Sequence, residues 1–244
     1  MKTSVVVLLT ATVKPKDNQP QLKVIDPDER FEEYRQSLSY VIRYLEKGLI
    51  DGVVFVENST YRIDELRNEF SRDGVEIIAY HGLNYPDGYH RGYGEYLLMN
   101  TAMAQSELIN NLDAQGIVLK ITGRYKVLNL PAVVSHIGKS FDFVCERRTD
   151  WAEMSVMCWT REGFAGCMNG LEALFSGGLP PEVYLDGHLN AVAQRGMRVG
   201  VFVWPPLLSG KRGSDGGAHS SKWTAARIVV TGLGRVVRRV FSNA

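Results

Sequence analysis

The feature that most constrains this chain is the pitch at which short apolar runs alternate with amphipathic stretches. In the first half, residues 4–9, 52–56, 75–80 and 116–121 are largely apolar, rich in Val and Ile, and run out into polar groups. A parallel strand buried on both faces reads this way, as a short apolar run rather than as an in–out alternation. Between the runs the period becomes helical. Phe31, Tyr34, Leu38, Val41, Ile42 and Leu45 recur at spacings of three and four. Asp26-Pro27-Asp28-Glu29 supplies an N-cap, a proline at the first helical position and acids in the first turn. Residues 26–47 are therefore expected to form an amphipathic helix ending at Gly48, with further helices at 63–70 and 94–112. Strands and helices alternating in this order argue for an α/β fold, a mostly parallel, Rossmann-like sheet flanked by helices.

The second half is less regular. Residues 141–145 and 155–159 read as strands of a hairpin or antiparallel edge, 162–175 and 181–195 as helices, and 199–203 as a last short strand. Four glycines between 210 and 217 mark a loop. From 221 to 241 a helical pattern returns, with Lys222, Trp223, Arg227, Arg235, Arg238 and Arg239 interleaved among Ile228, Val229, Val230, Leu233, Val236, Val237, Val240 and Phe241. The expected organisation is one domain over 1–220 and a basic amphipathic C-terminal helix over 221–244. That helix either lies on an anionic membrane surface or packs on the domain.

At 244 residues with a hydrophobic share of 45%, the chain can bury a sizeable core, which excludes global disorder. A net charge of +1 makes no case for nucleic acid as a partner. Cys145, Cys158 and Cys167 show no CxxC spacing, so a reduced, cytoplasmic setting is expected and a zinc site is not. Residues 4–9 are too short for the core of a signal peptide, and no run approaches the ~18 apolar residues a membrane span requires.

Ligands of open α/β sheets bind beyond the carboxyl ends of the strands. That places Thr10 after the first strand, Glu57 and Asn58 after the second, and Lys120, Thr122, Gly123, Arg124 and Tyr125 at and beyond the fourth. Acceptors and cations at one edge suit a base, a ribose and a diphosphate. Lys120 sits within an apolar run, so its ammonium needs a partner, either a ligand phosphate or a structural ion pair with Asp142 or Glu146. Arg124 would add a forked contact. Arg91, Gly92 and Glu95, in Arg91-Gly92-Tyr93-Gly94-Glu95, stand at a helix start where free amides and small residues admit a phosphate or sugar. Glu182 and Asp186, four apart on one helix face, and Asp142 are the candidates for a base that deprotonates an acceptor hydroxyl. Lys211, Arg212 and Ser214 in the glycine-rich loop are candidates for a lid over the diphosphate. No HExxH or G-x-S-x-G pattern is present, so neither zinc catalysis nor an α/β-hydrolase is supported.

On Phe55-Val56-Glu57-Asn58-Ser59, Arg91-Gly92-Tyr93-Gly94-Glu95, Lys120-Ile121-Thr122-Gly123-Arg124-Tyr125 and the late glycine-rich loop, the chain resembles bacterial GT-A-like glycosyltransferases of surface-polysaccharide biosynthesis, those of lipopolysaccharide O-antigen or capsule. The resemblance implies a nucleotide-linked sugar donor, such as a UDP-hexose, and a glycan or lipid-linked acceptor. It also implies a cytoplasmic enzyme, peripheral on the inner face of the plasma membrane. Such enzymes usually carry a D-x-D metal motif after the fourth strand, where this chain has Thr122-Gly123-Arg124. The expectation is thus a metal-independent transferase in which cations face the leaving diphosphate. Two alternatives stand beside it: a nucleotidyltransferase acting on a sugar phosphate, which would share the sheet and the phosphate-binding crevice, and a non-catalytic membrane-surface scaffold using the basic tail, which leaves the polar strand ends unexplained. The first generally has a glycine- and cation-rich loop after the first strand, where this chain has Thr10-Ala11-Thr12-Val13-Lys14-Pro15.

Overall fold

A computed structural model describes residues 3–17, 22, 26–86, 89–137, 141–171, 180–211, 217, 226 and 228–236. The expected α/β sandwich is present. A mostly parallel seven-stranded sheet has the order β3-β2-β1-β4-β7-β6-β8. Its strands are β1 (Val5–Ala11), β2 (Gly52–Glu57), β3 (Val75–Ala79), β4 (Ile117–Thr122), β6 (Phe143–Arg148), β7 (Trp151–Trp159) and β8 (Val199–Gly200). A separate ribbon pairs β5 (Lys126–Val127) with β9 (Leu208–Ser209). The β1–β2, β1–β4, β2–β3 and β6–β8 pairs are parallel, and β7 alone runs against its neighbours β4 and β6.

The sheet buries both faces because its central strands are apolar on both. Every residue of β1 is buried. Val5, Val7 and Leu9 join one core with α1 (Pro27–Glu46), while Val6 and Leu8 join the other with α3 (Arg91–Gln105). That division is the period-two alternation of a strand packed on both sides. Helix α1 begins as its sequence dictates: the Asp26 carboxylate accepts from the amides of Asp28 (2.9 Å) and Glu29 (2.8 Å). The expected long helix over 94–112 breaks instead at Ser106, into α3 and α4 (Glu107–Asn110). Glu76 of β3 causes the break, accepting from the Ser106 hydroxyl (2.5 Å) and the Leu108 amide (2.7 Å). An acid on an edge strand thus satisfies one amide that a second helix start leaves open, while Ser106 Oγ takes the amide of Ile109 (3.1 Å).

The remaining helices are α2 (Ile63–Phe70), α5 (Leu130–Ser135), α6 (Arg161–Met168) and α7 (Pro181–Gln194). Residues 228–236 are helical and packed on the domain. Arg235 of this segment forks onto Glu146 (2.7 and 3.1 Å) and reaches the Phe202 carbonyl (2.6 Å). The opposite side of the segment exposes Val229, Val230 and Leu233. No helix among the described residues is long and apolar enough to cross a membrane.

Strand order reverses at β1. From there the chain runs out to β2 and β3, then returns to lay β4 on the other side of β1. The carboxyl ends of β1 and β4 are therefore the topological switch point, where such sheets open a crevice.

Candidate functional site

A cleft of about 460 Å³ opens at that point. Of the residues expected from sequence, Thr10, Gly92, Glu95, Thr122, Arg124, Tyr125 and Glu182 line it together.

Its floor is built around Glu95, in the first turns of α3. The carboxylate accepts from the hydroxyls of Thr122 (2.8 Å) and Thr10 (3.2 Å), and from the Lys120 ammonium. Lys120 is completely buried and also donates to the Met154 carbonyl (2.6 Å) and Thr122 Oγ1 (3.1 Å). Its three N–H donors are thereby committed. This corrects both sequence expectations for Lys120: its partner is neither a ligand phosphate nor Asp142 or Glu146, but Glu95. Burial pushes the Glu95 carboxyl up, yet the Lys120 charge and the bonds from Lys120, Thr122 and Thr10 outweigh it. The group titrates below its usual value.

One wall is cationic. Arg30 of α1, buried, donates through Nε to the carbonyls of Thr12 (3.0 Å) and Val13 (3.1 Å), and through Nη2 to the Tyr34 hydroxyl (3.1 Å). Burial draws its pKa below the ordinary value, with the neighbouring Arg124 charge acting in the same direction. Arg124, just beyond β4, has a side chain only 5% exposed and pairs with Glu33 at 3.0 Å. Its Nη1 also reaches the Lys211 carbonyl at 3.4 Å. Its Nε has no hydrogen-bond partner among the described residues. Gly123 lets β4 leave the sheet here, since a Cβ would lie 2.7 Å from the Thr10 carbonyl.

The far wall comes from the β6–β7 hairpin and the start of α7, through Arg148, Trp151, Glu153, Pro181 and Glu182. Gly92 allows α3 and α7 to start side by side, because a Cβ there would stand 2.2 Å from Pro181 Cγ.

Other expected residues serve elsewhere. Glu57 is fully buried, and its carboxylate takes the amides of Val13 (2.9 Å) and Ser59 (2.9 Å), the Ser59 hydroxyl and the Thr60 amide. It clamps two loops together and is not an acceptor for a ribose. Burial raises its pKa against those bonds. Asn58 accepts from the Thr12 hydroxyl (2.8 Å), in the same loop cluster.

Asp142 is not near the cleft. It precedes β6, which runs parallel to β4, so it lies at the opposite edge of the sheet, bound to Arg198 (2.5 Å). Asp186 is buried, bound by Arg147 of β6 (2.7 Å), and does not line the cleft. Among the three proposed bases only Glu182 reaches the site. Lys211 pairs with Glu29 (2.6 Å) beside the cationic wall. Arg212, Ser214 and the side chain of Arg91 lie outside the described residues.

Sequence reasoning missed Arg30, Tyr34, Trp151 and Glu153. Arg30 did leave a signal: it stands four before Tyr34 and eight before Leu38, an arginine on the apolar stripe of α1. Among the described residues, no three His, Cys, Asp or Glu side chains gather as metal ligands.

No family model matches the chain. No curated protein matches it. Solved structures of similar course include a protein described as a nucleotide-diphospho-sugar transferase from Desulfovibrio desulfuricans G20 (12% identity, 83% of this chain and 84% of that one, TM-score 0.48). Another is an inositol-1-phosphate CTP transferase from T. maritima (12%, 95% and 97%, 0.48). A third is a 4-diphosphocytidyl-2C-methyl-D-erythritol synthase from Anaerococcus prevotii DSM 20548 (12%, 96% and 98%, 0.45). Likeness of this size concerns the course of the chain and carries nothing about its chemistry.

Proposed function

We propose that the chain is a transferase acting on a nucleotide-linked substrate in the cleft between β1 and β4, and that the group it moves is a sugar. The observation that carries this is the cleft itself: a crevice at the switch point with a cationic wall on one side and carboxylates facing it. The donor diphosphate lies against Arg124, whose guanidinium lines the cleft. An acceptor hydroxyl oxygen attacks the anomeric carbon, and the bond from that carbon to the diphosphate oxygen breaks. The electron pair leaves with the nucleoside diphosphate, whose growing charge the guanidiniums stabilise. The hydroxyl proton passes to a carboxylate of the far wall, Glu182 or Glu153. With a cation where other such folds place metal ligands, transfer is expected to persist in EDTA. A strict requirement for Mn²⁺ or Mg²⁺ would remove that part of the proposal.

Nucleotidyl transfer to a sugar phosphate is the second reading. That Arg30 and Arg124 line the same cleft favours it, since two cations on one wall also suit a triphosphate. Against it stands the turn directly after β1, where the amides of Thr12, Val13 and Lys14 are already spent. Thr12 N–H donates to Tyr34 Oη (3.1 Å), Val13 N–H to Glu57 (2.9 Å) and Lys14 N–H to Ser59 Oγ (3.0 Å). They are not available to cradle phosphates.

A thermal-shift screen with UDP, GDP, CMP and dTDP tests nucleotide binding, since a ligand at one hundred times its Kd stabilises by ~2.7 kcal/mol. Absence of any shift overturns both readings. Product analysis then separates them: nucleoside diphosphate released from a nucleotide sugar marks glycosyl transfer, pyrophosphate released from a nucleoside triphosphate marks nucleotidyl transfer.

In the same proposal the C-terminal segment holds the enzyme at a membrane carrying a lipid-linked acceptor. What supports it is the exposed face of Val229, Val230 and Leu233. Flotation with anionic liposomes at low salt should recover the protein, and no recovery removes this element.

A further inference from the structure

The hairpin wall has a construction of its own. β7 pairs with β4 only from Val156 onward, opposite Ile121, and β4 ends one residue later at Thr122, so residues 151–154 run past the end of β4 for roughly 13 Å at ~3.3 Å per residue. They overhang the cleft. The β6–β7 register shifts between Cys145 and Arg147, and such irregularities re-aim side chains next to functional sites. Along residues 151–155, Ala152 and Met154 are buried while Trp151, Glu153 and Ser155 are half-buried. The latter three line the cleft, as does Met154.

Trp151 and Glu153 are prepared for different parts of a polyhydroxylated ring, and Ser155 fixes the second. Trp151 Nε1 is buried, so the part of the indole that meets the cleft is carbon. Arg148 lies over the ring, its Cζ 5.8 Å from the centroid. The Glu153 carboxylate is held in place by the Ser155 hydroxyl (2.7 Å) and amide (3.2 Å). Both contacts use Oε1, leaving Oε2, 3.9 Å from Arg148, to accept from a ligand hydroxyl. An aromatic carbon surface beside a fixed carboxylate matches a pyranose, which has an apolar C–H face and hydroxyls at its rim.

From this we infer that the overhanging β6–β7 hairpin is the acceptor subsite and that Trp151 stacks on a pyranose ring whose hydroxyl faces Glu153. The inference rests on the glycosyl-transfer proposal for the same cleft. It divides the cleft in two, nucleotide diphosphate on the Arg124 side and carbohydrate on the Trp151 side.

The test uses the full chain and methyl glycosides of glucose, galactose, mannose and N-acetylglucosamine, read by saturation-transfer NMR. The thermal shift with UDP, GDP, CMP and dTDP runs in parallel. At least one glycoside should bind the wild type. Trp151→Ala should weaken it at least tenfold while leaving the nucleotide shift intact, and Trp151→Phe, which keeps an aromatic face, should retain most of the affinity. Arg124→Ala should do the reverse. The subsite is overturned if no glycoside binds a protein that binds nucleotide, or if Trp151→Ala binds glycoside as well as wild type. Should Trp151→Ala fail to fold, Glu153→Gln decides, with a tenfold loss of glycoside expected and an unchanged affinity fatal. Glycoside binding that depends on Trp151 in a protein that binds no nucleotide would leave the subsite standing and sink the donor proposal instead.

Discussion

Lys120 and Arg124 are four residues apart on and beyond the same strand, and in sequence they look like two cations of one phosphate site. Their surroundings differ. Lys120 lies inside the sheet with its side chain fully buried and every donor engaged, by Glu95, Met154 and Thr122. Arg124 stands where β4 has left the sheet, tied to a 19% exposed Glu33 and lining the cleft. Strand interiors tolerate a charge only when it is neutralised on the spot, whereas a strand tip can leave part of a charge for a ligand. One cation is thus a piece of the core and the other a piece of the site.

Four experiments can break or sharpen that contrast. The largest effect is expected for Lys120→Met, which leaves the Glu95 carboxylate unpaired at the base of the cleft. Breaking such a pair costs about 3–5 kcal/mol, to be read from urea unfolding. The double variant Lys120→Met/Glu95→Gln should recover most of that loss, and a single variant within ~1 kcal/mol of wild type would show that the pair is not structural. Arg124→Ala comes next. It should weaken nucleotide binding at least tenfold, in line with about 1.5–3 kcal/mol for a hydrogen bond to a charged group, and cost the fold less than Lys120→Met. A variant that melts early yet binds nucleotide normally would reverse the two roles.

The third concerns pH. Glu95 has a folded pKa below its unfolded one, so its contribution is complete above the unfolded value of ~4.3 and is lost as pH falls through the folded value. The wild type should therefore lose stability with acid more steeply below about pH 5 than Lys120→Met/Glu95→Gln does. Equal slopes would mean that Glu95 titrates alike in both states. The smallest effect belongs to Asp142→Asn, which should leave both nucleotide binding and transfer within about twofold of wild type. Loss of turnover there would contradict the placement of Asp142 at the far edge of the sheet.

The fold was legible because its signals are local. The strand-like runs at 4–9, 52–56 and 116–121, the Asp26-Pro27 helix start and the hairpin near 141–159 each depend on periodicity or capping within a few residues. The break at Ser106 was not, since it needs Glu76 from a strand thirty positions away. The candidate site was legible where strand ends alone define it, at Thr10, Thr122, Arg124 and Tyr125. It was misread where a polar group had two destinations, as for Lys120, Glu57 and Asp142. Trp151 and Glu153 escaped because the stretch of β7 that runs past β4 and lines the cleft is set by strand pairing, which is invisible in one chain segment.

By itself, then, the sequence determined a parallel α/β sheet with both faces covered and a polar edge at the ends of β1 and β4. Short apolar runs alternating with amphipathic helices bury both faces of a sheet in this way, and the polar groups that end them gather beyond the strand tips. Tertiary structure alone decided which charges neutralise one another. Glu95 meets Lys120, Glu33 meets Arg124, and Asp142 meets Arg198, each across a distance in sequence that carries no periodic trace. Burial makes an unpaired charge costly but does not name its partner, and only the packing of α1, α3 and the hairpin around the sheet does that.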